Sequence, residues 1–469
     1  MAPQLRPRTS HVKPETYATG VGSHNSPSRR SSVVTASSFS TGSSRSVPPV
    51  YTIDLSVPPS DRYFKVITDY EVSLRQLPTL LDEIFDAVRV PNRVLHVLAR
   101  LLLRRVYNKE ENEELSGISN ALGLPLYLLV AYNVFLDLLM GCTSGGARVQ
   151  GEGLEESRMM HFRTLDWGMP ELRNVVVQYE FVERPGGEVI ARTISYVGYV
   201  GVLTGLRRGL SVSINFRPYH NNDTSLVANM KFYLHQLTVL LGMKPSITSI
   251  LRDFVLPRTK SREKSSIEEE QHSTVGVKLR YGYPDICTTL PSMPTTAAYL
   301  TFCTPQEAII LEKDRKTAEI LKSSAFIATT NHDVSYDTHE GADHTQAAHI
   351  AHATMHSLGM GMEDIVDESV ERKRCLMEKW KILSAEAKES GKRRRKGTSS
   401  GREGIGVPRE TLREWMEAYP TSNQETHFVC IMDPARGEFR WVRRYEQGEI
   451  HSEWGEDQVS NDDQDLNSV

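Results

Sequence analysis

The chain has 469 residues, 39% of them hydrophobic and 24% charged, so there is apolar material for a large buried core. A formal net charge of −4 gives no reason to expect nucleic acid as a partner. The five cysteines, Cys142, Cys287, Cys303, Cys375 and Cys430, form no CxxC pair, which argues against a disulfide scaffold or a cysteine zinc site and suits a reducing compartment.

Residues 1–48 are rich in Ser, Arg and Pro and poor in large apolar side chains. Such a segment cannot bury enough surface to offset its ordering entropy, so a disordered arm is expected. It has no apolar signal-peptide core. Ordered chain should begin as a strand at VYTIDL, residues 50–55.

The rest of segment 49–141 reads as helices. YEVSLRQLPTLLDEIFDAV has apolar residues at helical spacing, and PNRVLHVLARLLLRRVY follows with Pro91 in its first turn. ENEELSGISNALG is a third helix, and Pro125 opens a fourth that should stop at Gly141. That fourth helix, LPLYLLVAYNVFLDLLM, comes nearest to the ~18 apolar residues a membrane span needs. Asn133 and Asp137 interrupt it, so a buried helix is expected, with those two satisfying backbone groups across the core. With neither span nor leader, an intracellular location is expected.

From Cys142 the pattern turns to strands. NVVVQYEFVE, EVIARTISYV and LSVSINF are β-branched and aromatic runs parted by RPGG and LRRG turns. Helices are expected near 226–241 and 245–255, then strands at AAYLTF, EAIILEKD and AFIATTN, then helices over 342–358 and 364–384. A helix near 408–418 and the strands HFVCIMD and EFRWVRR close the body, 142–455. Charged inserts near 258–272 and 388–405 read as linkers, and 456–469 as a disordered acidic tail. Two groups of strands with helices between them imply an α+β chain of two packed sheets flanked by helices.

Chemistry concentrates at Gly141–Cys142, where a helix stops and a cysteine opens a strand. A thiol so placed can attack the carbonyl before it, giving a thioester that water opens. Cys142 then carries a free α-amine, with an ordinary pKa of about 7.7–8.0. That amine sits beside the thiol and can take its proton. Arg163, in MMHFRTLDWG, would favour the reactive thiolate, and Asp166 could orient the α-ammonium. Three-residue spacing puts those two on opposite faces of a continuous strand. Asp166 is therefore expected just past the strand end, in a turn signalled by Gly168 and Pro170.

Several motifs, taken in order, resemble the acid ceramidase and N-acylethanolamine acid amidase family. They are Cys142-Thr143-Ser144, then His161-x-Arg163-x-x-Asp166, then GYVGVLTG at 198–205. YTIDLSVPPSDRY upstream and TTNHD downstream are similar too, so the likeness runs from about Tyr51 to Arg444. The resemblance implies a four-layer αββα N-terminal-nucleophile hydrolase fold preceded by a helical α-subunit segment. It implies cleavage between Gly141 and Cys142 into two fragments that stay associated. It makes Cys142 the nucleophile, with Arg163 and Asp166 beside it, Asn331 holding the oxyanion through its carboxamide N–H, and Asn215 at the substrate. A family arginine maps to Arg372, with Arg374 the alternative. The implied substrate is ceramide or another N-acyl amide, which a peripheral lipid-surface contact would suit, with no metal or cofactor. Phe216 replaces a family acid, His332 stands where the family has tyrosine, and no early cysteine can pair with Cys375.

Other signals point to rival readings. His349, His352 and His356 share a helix face after Asp343 and His344, as zinc ligands can, but a polar helix face is expected. GKRRRKG, 391–397, suits a solvated linker or an anionic-lipid contact, and Asn222-Asp223-Thr224 is a sequon that matters only in a secreted chain. A catalytically silent interaction protein is the reading of another class.

Overall fold

The structure is a computed structural model that describes residues 46–79, 82, 92–135, 141–151, 156–218, 225–258, 279–338, 362–394 and 405–450. The arm up to 45, Asp137, the sequon, the core of the 258–272 insert, the histidines of 343–356 and the acidic tail lie outside the described residues.

Two sheets form the centre. The larger runs in the order β1 (Val50–Asp54), β4 (Val176–Val182), β5 (Val189–Tyr196), β6 (Thr204–Arg207), β7 (Leu210–Phe216), β8 (Ala298–Cys303), β9 (Ala308–Lys313), β10 (Ala318–Ser323). The smaller runs β11 (Phe326–Thr329), β2 (Gly141–Val149), β3 (Arg158–Asp166), β12 (Thr426–Asp433), β13 (Glu438–Arg444). β1 and β4 pair in parallel, and the other pairings are antiparallel.

Both inner faces are buried, and polar groups join them. Ser144 Oγ donates to Asn215 Oδ1 at 2.8 Å, and the His161 ring lies between Ser211 Oγ and Ser213 Oγ at 3.0 and 2.8 Å. Burial pushes the His161 pKa down to about 3, so it is a neutral tie between sheets. The fit on β2 is close. A Cβ at Gly145 would come 2.1 Å from the Ile327 carbonyl, and one at Gly146 would come 2.4 Å from Ala308 Cβ.

Helices cover the outer faces, giving αββα layers. Helix α7 (Ile247–Val255) lies on the larger sheet, where Phe254 meets Phe302 at 5.3 Å. Helices α9 (Met362–Arg394) and α10 (Arg409–Glu417) lie on the smaller sheet. Their Leu376, Leu412, Trp415 and Met416 share a buried cluster with Phe162, Val429 and Ile431. The apolar periodicity of both stretches exists to bury that face.

The upstream segment, first in chain order, packs into this body. Its helices are α1 (Phe64–Asp69), α2 (Glu71–Leu74), α3 (Asn92–Leu102), α4 (Lys109–Leu122) and α5 (Leu126–Phe135). Asn108 caps α4 by accepting from Glu110 N, and Gly123 ends it at φ 65°. Buried Leu115, Ile118, Leu122 and Leu129 belong to the same core as Val176, Ile194 and Leu206 downstream. Glu114 on α4 is fully enclosed between Arg62 and Arg252 of α7. Asn133 donates to Leu129 O and Gly198 O and accepts from Val200 N, the satisfaction expected of it.

Several expectations need correction. The first expected helix, which starts at Tyr70, opens with the short α2, and α1 lies just before it. β10 was not anticipated; it is a half-exposed edge strand whose Ala, Glu and Lys carry little β-propensity. A short helix α8 (Tyr283–Cys287) was also missed. Helix α9 continues to Arg394, so residues 388–394 of the expected linker are helical. Between α5 and α7, helix α6 (Leu226–Leu240) matches its expected place. Among the described residues, no helix is long and apolar enough to cross a membrane.

Candidate active site

β2 and β3 pair with Gly141 opposite Asp166, Cys142 opposite Leu165 and Ser144 opposite Arg163. Residues directly opposite each other share a face. Cys142, Ser144 and Arg163 therefore point between the sheets, while Gly141 and Asp166 point outward beneath α9. The opposite-face expectation holds, but Asp166 is the last residue of β3, not part of a turn beyond it. A bulge in β12 between Thr426 and Phe428 extends the pairing to it.

The Cys142 thiol is fully buried, and Arg163 Nη2 donates to Sγ at 3.3 Å. Burial pushes the thiol pKa above its ordinary value, against the pull of Arg163. In the continuous chain the group is thus a thiol, and the guanidinium offsets only part of the desolvation. Arg163 Nη1 donates to Asn215 Oδ1 at 2.8 Å. Asn215 Nδ2 in turn donates to Thr329 O and Thr330 O. All the polar capacity of Asn215 is spent inside the protein. It helps to fix the Arg163 guanidinium.

On the outer face, Cys142 N donates to Asn331 Oδ1 at 2.8 Å. Arg372 Nη2 donates to the same oxygen at 3.2 Å, and Asn331 Nδ2 donates to Phe216 O at 2.8 Å. Two donors converge on one atom and a carbonyl faces the other, which fixes the orientation of the carboxamide. Asn331 therefore presents its oxygen to the nitrogen of the Gly141–Cys142 bond. One of its two N–H bonds is held by the Phe216 carbonyl. Arg372 Nη1 binds Asp166 Oδ2 at 2.9 Å, whereas Arg374 is exposed. Asp166 Oδ1 accepts from Thr426 Oγ1 at 2.7 Å. Burial raises the Asp166 pKa, with Arg372 and Thr426 pulling the other way. Asp166 thus reaches the Cys142 nitrogen through Arg372 and Asn331 rather than directly.

Sequence reasoning missed three participants. Ser144 lay within the quoted Cys-Thr-Ser motif and could have been found. Thr426 and Ser369, whose Oγ accepts from Asn331 N at 2.7 Å, carry no local signal. Phe216 contributes only its carbonyl, while Arg217 beside it pairs with Asp333. All five cysteines are free thiols. Among the described residues, no group of three or more His, Cys, Asp or Glu side chains could hold a metal ion.

A family model described as the beta subunit of N-acylethanolamine-hydrolyzing acid amidase matches residues 46–107. That stretch is the upstream segment from before β1 to beyond α3. An N-acylethanolamine-hydrolyzing acid amidase of Caenorhabditis elegans is 33% identical over 178 residues, 36% of this chain and 47% of that protein. The acid ceramidase of Mus musculus is 26% identical over 186 residues, 36% of this chain and 45% of that one. Over part of its length the chain is similar to acid ceramidases and N-acylethanolamine-hydrolyzing acid amidases. It spans about half the length of the curated relatives it matches. A solved structure of the Caenorhabditis elegans amidase ortholog covers 65% of this chain and 100% of its own, at 16% identity and a TM-score of 0.40.

Proposed function

We propose that this chain is an autocleaving cysteine amidohydrolase acting on a lipid amide, with ceramide as the leading substrate. The observation that carries the reading is that both ends of one residue are held for reaction. Cys142 Sγ sits 3.3 Å from a guanidinium, and Cys142 N sits 2.8 Å from Asn331 Oδ1.

In the first round Sγ adds to the Gly141 carbonyl carbon. The C–N bond breaks, the acyl group moves to sulfur, and the thiol proton ends on nitrogen. Water opens the thioester, releasing a Gly141 carboxylate and restoring the thiol. In the second round the new α-amine takes the thiol proton while Asn331 Oδ1 accepts one of its N–H bonds, leaving the lone pair free. Arg163 stabilises the thiolate as it attacks the substrate amide carbon. The protonated amine gives its proton to the leaving sphingoid amine, and water then frees the fatty acid.

A second reading shares every residue and changes the amine: an N-acylethanolamine. The greater identity to the amidase, 33% against 26%, favours weighing it. Parallel hydrolysis of ceramide and palmitoylethanolamide, with Cys142→Ala as control, tests both. Loss of all hydrolysis in the variant is expected, and a Cys142→Ala protein that still turns over either lipid contradicts the proposal.

A further inference from the structure

We propose that His332 is a positioning residue for the Cys142 site, tying helix α9 to the loop after β11 so that Asn331 is held against the scissile amide. The proposal rests on the amidohydrolase reading above.

Ser369, Arg372 and Lys373 share one face of α9, at spacings of three and four. Each grips the 330–337 loop. Ser369 Oγ accepts from Asn331 N at 2.7 Å, Arg372 Nη2 donates to Asn331 Oδ1, and Lys373 Nζ lies 2.6 Å from Asp337 Oδ2. The fully buried His332 ring stands in the middle. Its Nδ1 is 2.7 Å from Ser369 Oγ and 3.1 Å from Thr330 Oγ1, and its Nε2 is 3.1 Å from Asp337 Oδ1.

The protons can be placed. Burial and Lys373 disfavour the imidazolium, while Asp337 and Asp333 favour it, and the net shift is downward. A neutral ring facing the Asp337 carboxylate carries its hydrogen on Nε2. Nδ1 then accepts the Ser369 hydroxyl, which also lies 2.9 Å from Thr330 Oγ1, and the Ser369 oxygen takes the Asn331 N–H. The chain of bonds thus runs from Asp337 to the backbone nitrogen of Asn331, the residue whose carboxamide faces Cys142. A phenol at this place, as in the similar family, has one polar atom and cannot bridge both partners.

Three variants separate the two arms. In His332→Asn an amide stands at the level of Nδ1, in His332→Gln one reaches Nε2, and His332→Phe offers neither. Self-cleavage at Gly141–Cys142 is expected to slow about tenfold or more in Phe and Gln, and to stay within about threefold of wild type in Asn. Melting temperatures should agree among the three, and lipid-amide kcat should fall without a change in KM. Cleavage by the Phe protein at the wild-type rate, or equal rates for Asn and Gln, would overturn the proposal. A wild-type chain that never cuts would sink the amidohydrolase reading instead. In that event, NMR of histidine-labelled full chain still decides the present inference: an Nε2–H tautomer at His332 supports it, and an Nδ1–H tautomer refutes it.

Discussion

At the scale of single residues, the site divides its labour across one strand. The thiol faces inward to Arg163, and the amide faces outward to Asn331, Arg372 and Asp166. Arg163→Met keeps the bulk but removes a charged hydrogen bond worth about 1.5–3 kcal/mol. Self-cleavage should fall roughly ten- to a hundred-fold, read as the rate at which the fragment starting at Cys142 accumulates. The two small residues flanking the motif should behave differently. A Cβ at Gly141 would meet Asp166 Cβ at 3.4 Å, an ordinary contact, whereas one at Gly145 would strike the Ile327 carbonyl. Gly141→Ala should therefore melt near wild type, and Gly145→Ala should fail to fold or melt far lower. Cys142, Arg163 and Asp166 could be read from their motif. The Asn331 orientation could not, because it depends on a guanidinium from α9 and a carbonyl from β7 that meet only in three dimensions.

Among the elements, α4 and α7 are joined by buried paired charges. Glu114 is enclosed by Arg62 and Arg252, so Glu114→Gln leaves two buried guanidiniums short of charge and should cost about 3–5 kcal/mol, measured by denaturant unfolding. Glu111, one turn earlier, is different. Burial raises its pKa from 4.5 to about 7, although Arg252 and the Ser249 hydroxyl oppose the shift. The folded state then holds the proton more tightly than the unfolded one. Its contribution is fully present below about pH 4.5 and is lost as pH rises through about 7. Glu111→Gln should thus raise the melting temperature above about pH 7 and leave it nearly unchanged near pH 4.5. An equal effect at both ends would refute this. Helices α4 to α7 and most strands were legible from periodicity because each buries one face. β10 and the far end of α9 were not, since a half-exposed edge strand and a charged, apolar-poor helix end show little apolar pattern.

For the whole molecule, the upstream segment is a structural part of the catalytic body. β1 fills the edge of the larger sheet, and α4 and α5 share its core. A cut at Gly141 breaks one peptide bond and none of these contacts. The two pieces should co-elute in native gel filtration and part only under denaturation. The sequence placed a helical segment ahead of the two-sheet body but not against a particular sheet, because periodicity says that a helix is amphipathic and not what it covers. The most direct test of the account is intact-mass analysis of purified, active protein beside Cys142→Ala. Two fragments are expected, the larger beginning at Cys142, with a single full-length chain in the variant. Active protein whose backbone runs unbroken from Gly141 to Cys142 would contradict it.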